Sequence, residues 1–261
     1  MDINKVYLGD CLEIMPSIGD KSIDMVLTSP PYDNLRTYGG NLQWDFEGIA
    51  KELYRVTKDG GVVVWVVGDA TIKGSETGTS FRQALYFKEI GFNLHDTMIY
   101  RKGGFSCPAS SKRYFQGFEY MFIFSKGSPM TFNGIREPRT TKGNRIITSR
   151  QANGETVKRT NIMSDTRLKS NVWDIDCGYM RSTKDKLAYE HPALFPDKLA
   201  HDHIVTWSNE GDLILDCFAG SGTTGVACQN LNRNYILIEK EPKYYEIINK
   251  RITEHNLQGR F

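Results

Sequence analysis

Residues 23–32 read IDMVLTSPPY, a short apolar run that leads into two consecutive prolines and a tyrosine. The mostly apolar residues 23–27 are typical of a buried strand in a parallel sheet. Pro30 and Pro31 end that strand because neither can donate a ladder hydrogen bond, and Pro30 also restricts the residue before it to extended geometry. The stretch therefore predicts a stiff loop at the carboxyl end of a strand, where open α/β sheets bind their ligands.

This loop carries polar acceptors beside an aromatic ring. The acceptors are the Ser29 hydroxyl and the backbone carbonyls on either side of Pro30, and the ring belongs to Tyr32. A planar nitrogen base suits such a loop, because the ring can stack on the base while the oxygens accept its amino protons. A proline turn with a packed tyrosine would show the same residues, so both interpretations stay open at this point.

The composition is that of an ordinary globular chain. Its 261 residues, 39% hydrophobic and 25% charged, suffice for one large domain or for one domain with an insertion. No run reaches the apolar length of a membrane span, and residues 1–5 lack the apolar core of a signal peptide, which predicts a cytoplasmic protein. The five cysteines form no CxxC pair, so neither a disulfide framework nor a metal site is predicted.

Charge is distributed unevenly along the chain. The net charge is +2, yet residues 130–187 contain twelve basic and six acidic side chains. This excess predicts a polyanionic partner for the middle of the chain. A solvated loop with a charged face would show the same excess.

Strands and helices alternate along most of the chain, which predicts a mostly parallel sheet. The predicted strands are 5–8, 23–27, 62–67, 96–100, 120–124, 213–216 and 235–239. The predicted helices are 11–15, 49–58, 81–90, 196–207 and 223–230, the second ending at the breaker Asp59-Gly60-Gly61. Residues 127–190 break this pattern, and only 171–175 look ordered within them; such a stretch is usually functional.

A second motif, GSGTTG at residues 220–225, lies between a predicted strand and a predicted helix. The acid Glu239 ends the next strand, at the distance where a dinucleotide-binding protein holds a ribose. S-adenosylmethionine, which has a ribose but no pyrophosphate, suits the same residues. Only 22 residues follow Glu239, so the other strands must come from the first half of the chain. The sheet is therefore assembled in permuted order, which brings this loop beside Ser29.

Together the two motifs resemble the β group of DNA amino-methyltransferases of restriction–modification systems, in which a catalytic S/D/N-P-P-Y/F motif precedes the cofactor loop. The resemblance covers most of the chain and rests on residues 9–10, 28–32, 35–36, 38–39, 191–196, 216–224 and 238–239. It implies a Rossmann-like, S-adenosylmethionine-dependent methyltransferase fold of the α/β class, with a mostly parallel seven-stranded sheet. The implied organisation is a catalytic part at 1–126, an inserted target-recognition region at 127–190 and a cofactor-binding part at 191–261.

The resemblance also implies roles for individual residues. Asp10 would approach the adenine amino group of the cofactor, and Glu239 would hold the ribose. The other implied cofactor-binding residues are Cys11, Phe195, Asp216, Phe218, Gly220, Ser221, Gly222 and Thr223. The implied catalytic residues are Ser29, Pro30, Pro31 and Tyr32. The predicted DNA-binding residues are Arg36, Arg139, Lys142, Arg145, Arg150, Lys158 and Arg159.

The expected reaction is methyl transfer to an exocyclic amino group of a flipped base in double-stranded DNA. Serine at the first motif position resembles the cytosine-N4 enzymes, and adenine-N6 is the alternative. Carbon-5 methylation is disfavoured because it needs a cysteine after a proline in the catalytic loop, whereas Cys107 precedes Pro108 outside it. An NAD-dependent oxidoreductase and a catalytically silent nucleic-acid-binding module are more distant alternatives. A paired restriction endonuclease and a homodimer are possible partners.

Overall fold

The computed structural model describes residues 1–31, 44–103, 112, 114–140, 143, 145–161 and 164–258. The chain forms two compact units. The main unit comprises Met1–Asn133 with Asn171–Phe261, and the small unit comprises Gly134–Ser170. The predicted insertion at 127–190 is therefore wider than the separate unit.

The α-helices are α1 (Cys11–Ile14), α2 (Phe46–Val56), α3 (Thr79–Glu89), α4 (Asp197–Trp207), α5 (Thr223–Asn230) and α6 (Pro242–Gln258), and 3₁₀ helices span Met15–Ser17 and Leu187–Glu190. The first seven strands are β1 (Lys5–Leu8), β2 (Ile23–Thr28), β3 (Thr57–Val67), β4 (Thr71–Ile72), β5 (Ser75–Glu76), β6 (Asn93–Gly103) and β7 (Phe118–Ser125). The other seven are β8 (Arg136–Pro138), β9 (Arg145–Arg150), β10 (Thr156–Asn161), β11 (Thr166–Leu168), β12 (Val172–Asp176), β13 (Leu213–Asp216) and β14 (Asn234–Glu239). None of the helices within the described ranges is long and apolar enough to cross a membrane.

The main unit is built on an eight-stranded sheet in the order β1-β14-β13-β2-β3-β7-β6-β12. Neighbouring strands are parallel except where β7 pairs antiparallel with β3 and β6. This confirms the predicted fold class and the permuted order, because the first strand of the chain pairs with the last. The predicted number of strands in the sheet, seven, was wrong, because β12 pairs with β6 as an eighth strand. Only alternate residues of β12, Trp173 and Ile175, are buried, which gives it a weaker signal than the fully apolar central strands.

The boundary between α2 and β3 differs from its prediction. The helix buries Ile49, Leu53 and Val56 against the sheet, as its spacing predicts, but it ends at Val56. Gly60 and Gly61 lie inside β3, where the pairing with β2 shifts register, and Gly60 has a φ of +79°. The two glycines therefore form a bulge within a strand instead of ending a helix.

The small unit consists of two antiparallel strand pairs. β8 pairs with β11, and β9 pairs with β10 over six residues each. Nine basic and three acidic side chains lie between Gly134 and Ser170, so the positive excess of the chain's middle is concentrated here.

Candidate active site

A cavity of about 810 Å³ opens in the main unit where the parallel strands end. Its wall includes residues that directly follow β1, β2, β13 and β14, because the carboxyl ends of parallel strands meet at one edge of the sheet. Of the predicted site residues, those that line it are Asp10, Cys11, Ser29, Pro30, Pro31, Phe195, Asp216, Phe218, Gly220, Ser221, Thr223 and Glu239. Gly222 is not part of the lining, and Tyr32 lies outside the described residues.

Glycines shape the loop between β13 and α5. Gly220 and Gly222 have φ values of +55° and +81°, and Gly222 is the N-cap of α5. A Cβ at Gly222 would lie 2.7 Å from Cγ2 of Ile248, and a Cβ at Gly225 would lie 2.6 Å from Cδ1 of Leu237. The glycines thus permit both the turn and the close packing of α5 on β14 and α6.

Glu239 is a buried acceptor at the end of β14. Its Oε2 accepts a hydrogen bond from the Gly220 N–H at 2.8 Å, and its Oε1 accepts one from the Glu241 N–H at 2.9 Å. Burial raises the pKa of Glu239 to about 7, although the two backbone donors oppose the rise. Glu239 is 8% exposed, so it is largely removed from solvent, and it nevertheless lines the cavity.

Asp10 has a different environment. It caps α1, where Oδ1 accepts a hydrogen bond from the Leu12 N–H at 2.9 Å, and its Oδ2 lies 2.9 Å from Nζ of Lys240. Burial acts to raise the pKa of Asp10, but the hydrogen bonds from Lys240 and Leu12 outweigh it and hold the pKa below its usual value. Lys240 was missed from the sequence, since it comes close to Asp10 only through the pairing of β1 with β14.

Asp216 joins the two predicted loops. Its Oδ1 accepts hydrogen bonds from Oγ1 of Thr28 at 2.7 Å and from the Phe218 N–H at 3.1 Å. Its Oδ2 accepts a hydrogen bond from Oγ1 of Thr224 at 2.6 Å. Burial raises the pKa of Asp216, and its three donors oppose that rise. One carboxylate therefore connects the end of β2, immediately before Ser29, to the loop after β13 and to α5.

Arg251 was also missed from the sequence. It is 2% exposed, and its guanidinium on α6 donates hydrogen bonds to the Ser221 carbonyl and to Oδ2 of Asp185. The arginine thus fixes the glycine loop to α6 through the Ser221 carbonyl. An isolated arginine in a late helix has no sequence signature of this role.

The predicted DNA-binding residues fall in the small unit where the structure describes them. Arg150, Lys158 and Arg159 are exposed on the β9–β10 hairpin, and Arg145 begins β9. Arg139 is half-buried and its Nε donates a hydrogen bond to the Thr166 carbonyl at 3.3 Å. Arg36 and Lys142 lie outside the described residues.

Comparisons with known proteins agree with this architecture. A family model described as DNA methylase, covering N6 and N4 enzymes, matches residues 23–250. The orphan methyltransferase M.BamHII of Bacillus amyloliquefaciens is 54% identical over an alignment of 245 residues that covers 92% of each chain. The solved structure of PvuII DNA methyltransferase (cytosine-N4-specific) aligns with a TM-score of 0.70 at 22% identity, covering 97% of this chain and 91% of that chain.

A second solved structure, the complex of M1.HpyAVI with SAM, aligns with a TM-score of 0.62 at 24% identity and covers 95% of this chain and 98% of that chain. The family match spans most of the sequence, and Ser29 and Pro30 of one motif line the same cavity as Gly220 and Ser221 of the other. The chain therefore belongs to the N6/N4 DNA methylase family and is an S-adenosylmethionine-dependent DNA methyltransferase.

Proposed function

We propose that the chain transfers a methyl group from S-adenosylmethionine to the N4 amino group of a flipped cytosine in double-stranded DNA. The observation that carries this proposal is the shared cavity, in which Ser29, Pro30 and Pro31 face the loop after β13. Serine at the first position of the catalytic motif supports cytosine, and the fold is shared with PvuII DNA methyltransferase, which is described as cytosine-N4-specific.

The cavity fits the cofactor. Its volume of about 810 Å³ lies in the upper part of the range for ligand sites. In this proposal Glu239 accepts hydrogen bonds from the ribose hydroxyls, and Asp10 accepts one from the adenine amino group. The glycine loop, with no side chain at Gly220, admits the methionine portion, and Phe195 and Phe218 enclose the cofactor.

The bound cofactor supplies an electrophilic methyl group on a sulfonium. The chain's own part is to prepare the acceptor nitrogen, whose lone pair is delocalised into the ring. The Ser29 hydroxyl oxygen and the Pro30 carbonyl accept hydrogen bonds from the two amino N–H groups, which favours a tetrahedral nitrogen and directs its lone pair. This is positioning and electrostatic stabilisation without a covalent intermediate.

The thiols in the described cavity wall support amino rather than carbon methylation. Burial raises the pKa of Cys11 to about 12, and burial also raises the pKa of Cys217 well above its usual value. Cys177 shifts in the same direction for the same reason. A raised pKa disfavours the thiolate that attack on a ring carbon requires.

Nucleoside analysis of treated DNA tests the proposal. DNA incubated with the enzyme and cofactor is digested and its nucleosides are identified by mass. We expect N4-methylcytosine. Finding only N6-methyladenine would overturn the base assignment, and finding 5-methylcytosine would overturn the mechanism.

We further propose that the small unit recognises DNA, with the β9–β10 hairpin contacting phosphates. Lys158 and Arg159 are adjacent on β10, so their side chains point to opposite faces of the hairpin and one of them lies on whichever face contacts the DNA. Replacing both by alanine should weaken binding to many sequences alike, and it should reduce the slope of log affinity against log salt by up to roughly 2. Binding titrations from low to high salt measure this slope.

The matched control for this variant is Lys73→Ala with Lys88→Ala, which removes two exposed charges from the main unit. An equal loss of slope in both variants would show that the effect follows net charge and not the hairpin.

Cofactor affinity should depend on pH through Glu239. The ribose hydroxyls donate to its ionised form, so binding is strongest above a pKa of about 7 and weakens as the pH falls through it. We expect the dissociation constant to rise by about tenfold per pH unit well below that pKa. Calorimetry between pH 5.5 and 8.5 measures it. Glu239→Gln should bind more weakly with a flat profile; equal slopes in both proteins would contradict the assignment.

The homodimer and the paired restriction endonuclease stay predictions. Analytical ultracentrifugation with and without DNA measures the first. The name of the 54% identical relative describes an orphan methyltransferase, which favours action without a paired endonuclease.

A further inference from the structure

A second polar group lies in the cavity wall away from the glycine loop. Lys102 on β6 and Glu119 on β7 form an ion pair, with Nζ and Oε1 2.5 Å apart. Their side chains are 20% and 13% exposed, and both residues line the same cavity as Ser29 and Pro31. The methyl-transfer chemistry proposed above makes no use of this pair.

The sheet register places the pair across from the catalytic loop. Thr28 is level with Trp65 on β3, and Trp65 is level with Phe122 on β7. Because β7 runs antiparallel to β3, Glu119 lies three residues beyond Phe122 toward the edge of the sheet where β2 and β3 end. Pro31 lies three residues beyond Thr28 toward the same edge.

The strands β2 and β7 are two positions apart in the sheet, roughly 10 Å. β3 lies between them and ends at Val67, and Val66 lines the cavity, so a flat ring lying over this end of β3 would have hydrogen-bonding groups on both sides. The glycine loop lies on the opposite side of β2, after β13. A base whose amino group meets Ser29 therefore has Lys102 and Glu119 on its far side.

The far side of the base differs between the two candidate substrates. Beyond its amino group, cytosine presents ring N3 and carbonyl O2, which are both acceptors. Adenine presents ring N1 and then a C–H group. A lysine ammonium has three donors and no acceptor, so one proton can go to Glu119 while the others face the base.

We propose that Lys102 donates a hydrogen bond to O2 of the flipped cytosine and that Glu119 positions its ammonium. The inference rests on cytosine-N4 methylation as the proposed function and names the residue that selects the base. With adenine in the cavity the ammonium would face a C–H group without gaining an acceptor, and a site built to donate rejects such a substrate.

A purely structural role for the pair is the competing explanation. β6 and β7 are already paired antiparallel from Asn93 to Arg101, so the sheet does not depend on this ion pair for its register. The experiment must nevertheless separate recognition of O2 from support of the wall.

Single-turnover methylation on two DNA substrates makes this separation. One carries the target cytosine, and the other carries a 2-aminopyridine C-nucleotide, which keeps the ring nitrogen and amino group but lacks O2. We expect the wild type to lose about 10- to 100-fold on the analogue, as for a charged hydrogen bond. Lys102→Met should lose a similar factor on cytosine and should not distinguish the two substrates. Lys102→Arg keeps donors and should still distinguish them, whereas Glu119→Gln should do so less well than the wild type.

Lys73→Met, which removes an exposed lysine of the main unit, is the matched control and should behave as the wild type. If the transfer rate of Lys102→Met falls as much from cytosine to the analogue as the rate of the wild type does, the pair only supports the wall. The inference is then overturned. A wild-type product of N6-methyladenine, found before any variant is made, would overturn the proposed function and the inference with it. If the wild type makes N4-methylcytosine, but Lys102→Met and the removal of O2 lower the rate by independent factors, only the inference is overturned.

Discussion

Replacing Asp216 by alanine should slow methyl transfer by about two orders of magnitude, because it releases the connection between the catalytic loop and the glycine loop. The carboxylate accepts hydrogen bonds from Thr28, Phe218 and Thr224 within a buried site. Without it, two buried hydroxyls lose their acceptor, at about 1–3 kcal/mol each in the free energy of unfolding. Single-turnover rates and thermal unfolding measure the two effects.

Two milder variants separate positioning from folding. Asp216→Asn keeps the oxygen that serves Thr28 and the Phe218 N–H, and its amide can donate to the Thr224 hydroxyl, so we expect most activity to remain. Thr28→Val keeps the shape but removes the link to the catalytic loop, and it should slow transfer with cofactor affinity nearly unchanged. If Thr28→Val transfers at the wild-type rate, Asp216 does not position the loop.

Replacing Ser29 by alanine should lower the rate of methyl transfer by about 100-fold, comparable to the loss of one preorganised hydrogen-bonding group at a reacting centre. Ser29 is half-buried in the cavity wall directly after β2, and alanine preserves the shape of the loop. The loss should fall on the transfer step, with the dissociation constants for cofactor and DNA changed little. Rapid-quench measurements with saturating cofactor and DNA isolate that step.

Ser75→Ala is the matched control, since Ser75 is exposed on β5 and does not line the cavity. A Ser29→Ala enzyme that transfers as fast as the wild type, or one whose only defect is weak DNA binding, would contradict the assigned role.

Much of the cavity wall could be predicted because its residues follow strands with strong signals. Ser29 and Asp216 each lie at the carboxyl end of an apolar run, and the order of the motifs implies a permuted sheet that makes the two ends neighbours. The contact of Lys240 with Asp10 depends on side chains 230 residues apart, and Arg251 reaches Ser221 across 30 residues. Neither contact leaves a periodic pattern, so neither could be predicted.

Boundaries were predicted less well than the elements themselves. A glycine pair after a helical pattern usually ends the helix, yet Gly60 lies in a strand because its positive φ is accommodated as a bulge opposite β2. The segment at 171–175 was set apart from the sheet because it follows a long polar stretch. Its pairing with β6 returns the chain to the main unit earlier than the predicted boundary at 190.

The pairing of β1 with β14 has a consequence for how the chain is made. At about 5–20 residues per second, the 230 residues between Asp10 and Lys240 take the ribosome roughly 10–50 s to add. Throughout that time β1 has no partner strand, although β2, β3, β7 and β6 can already pair with one another. The strands that lead to Ser29 and carry Lys102 and Glu119 can therefore pair first, whereas the first strand can join the sheet only when one of the last elements emerges.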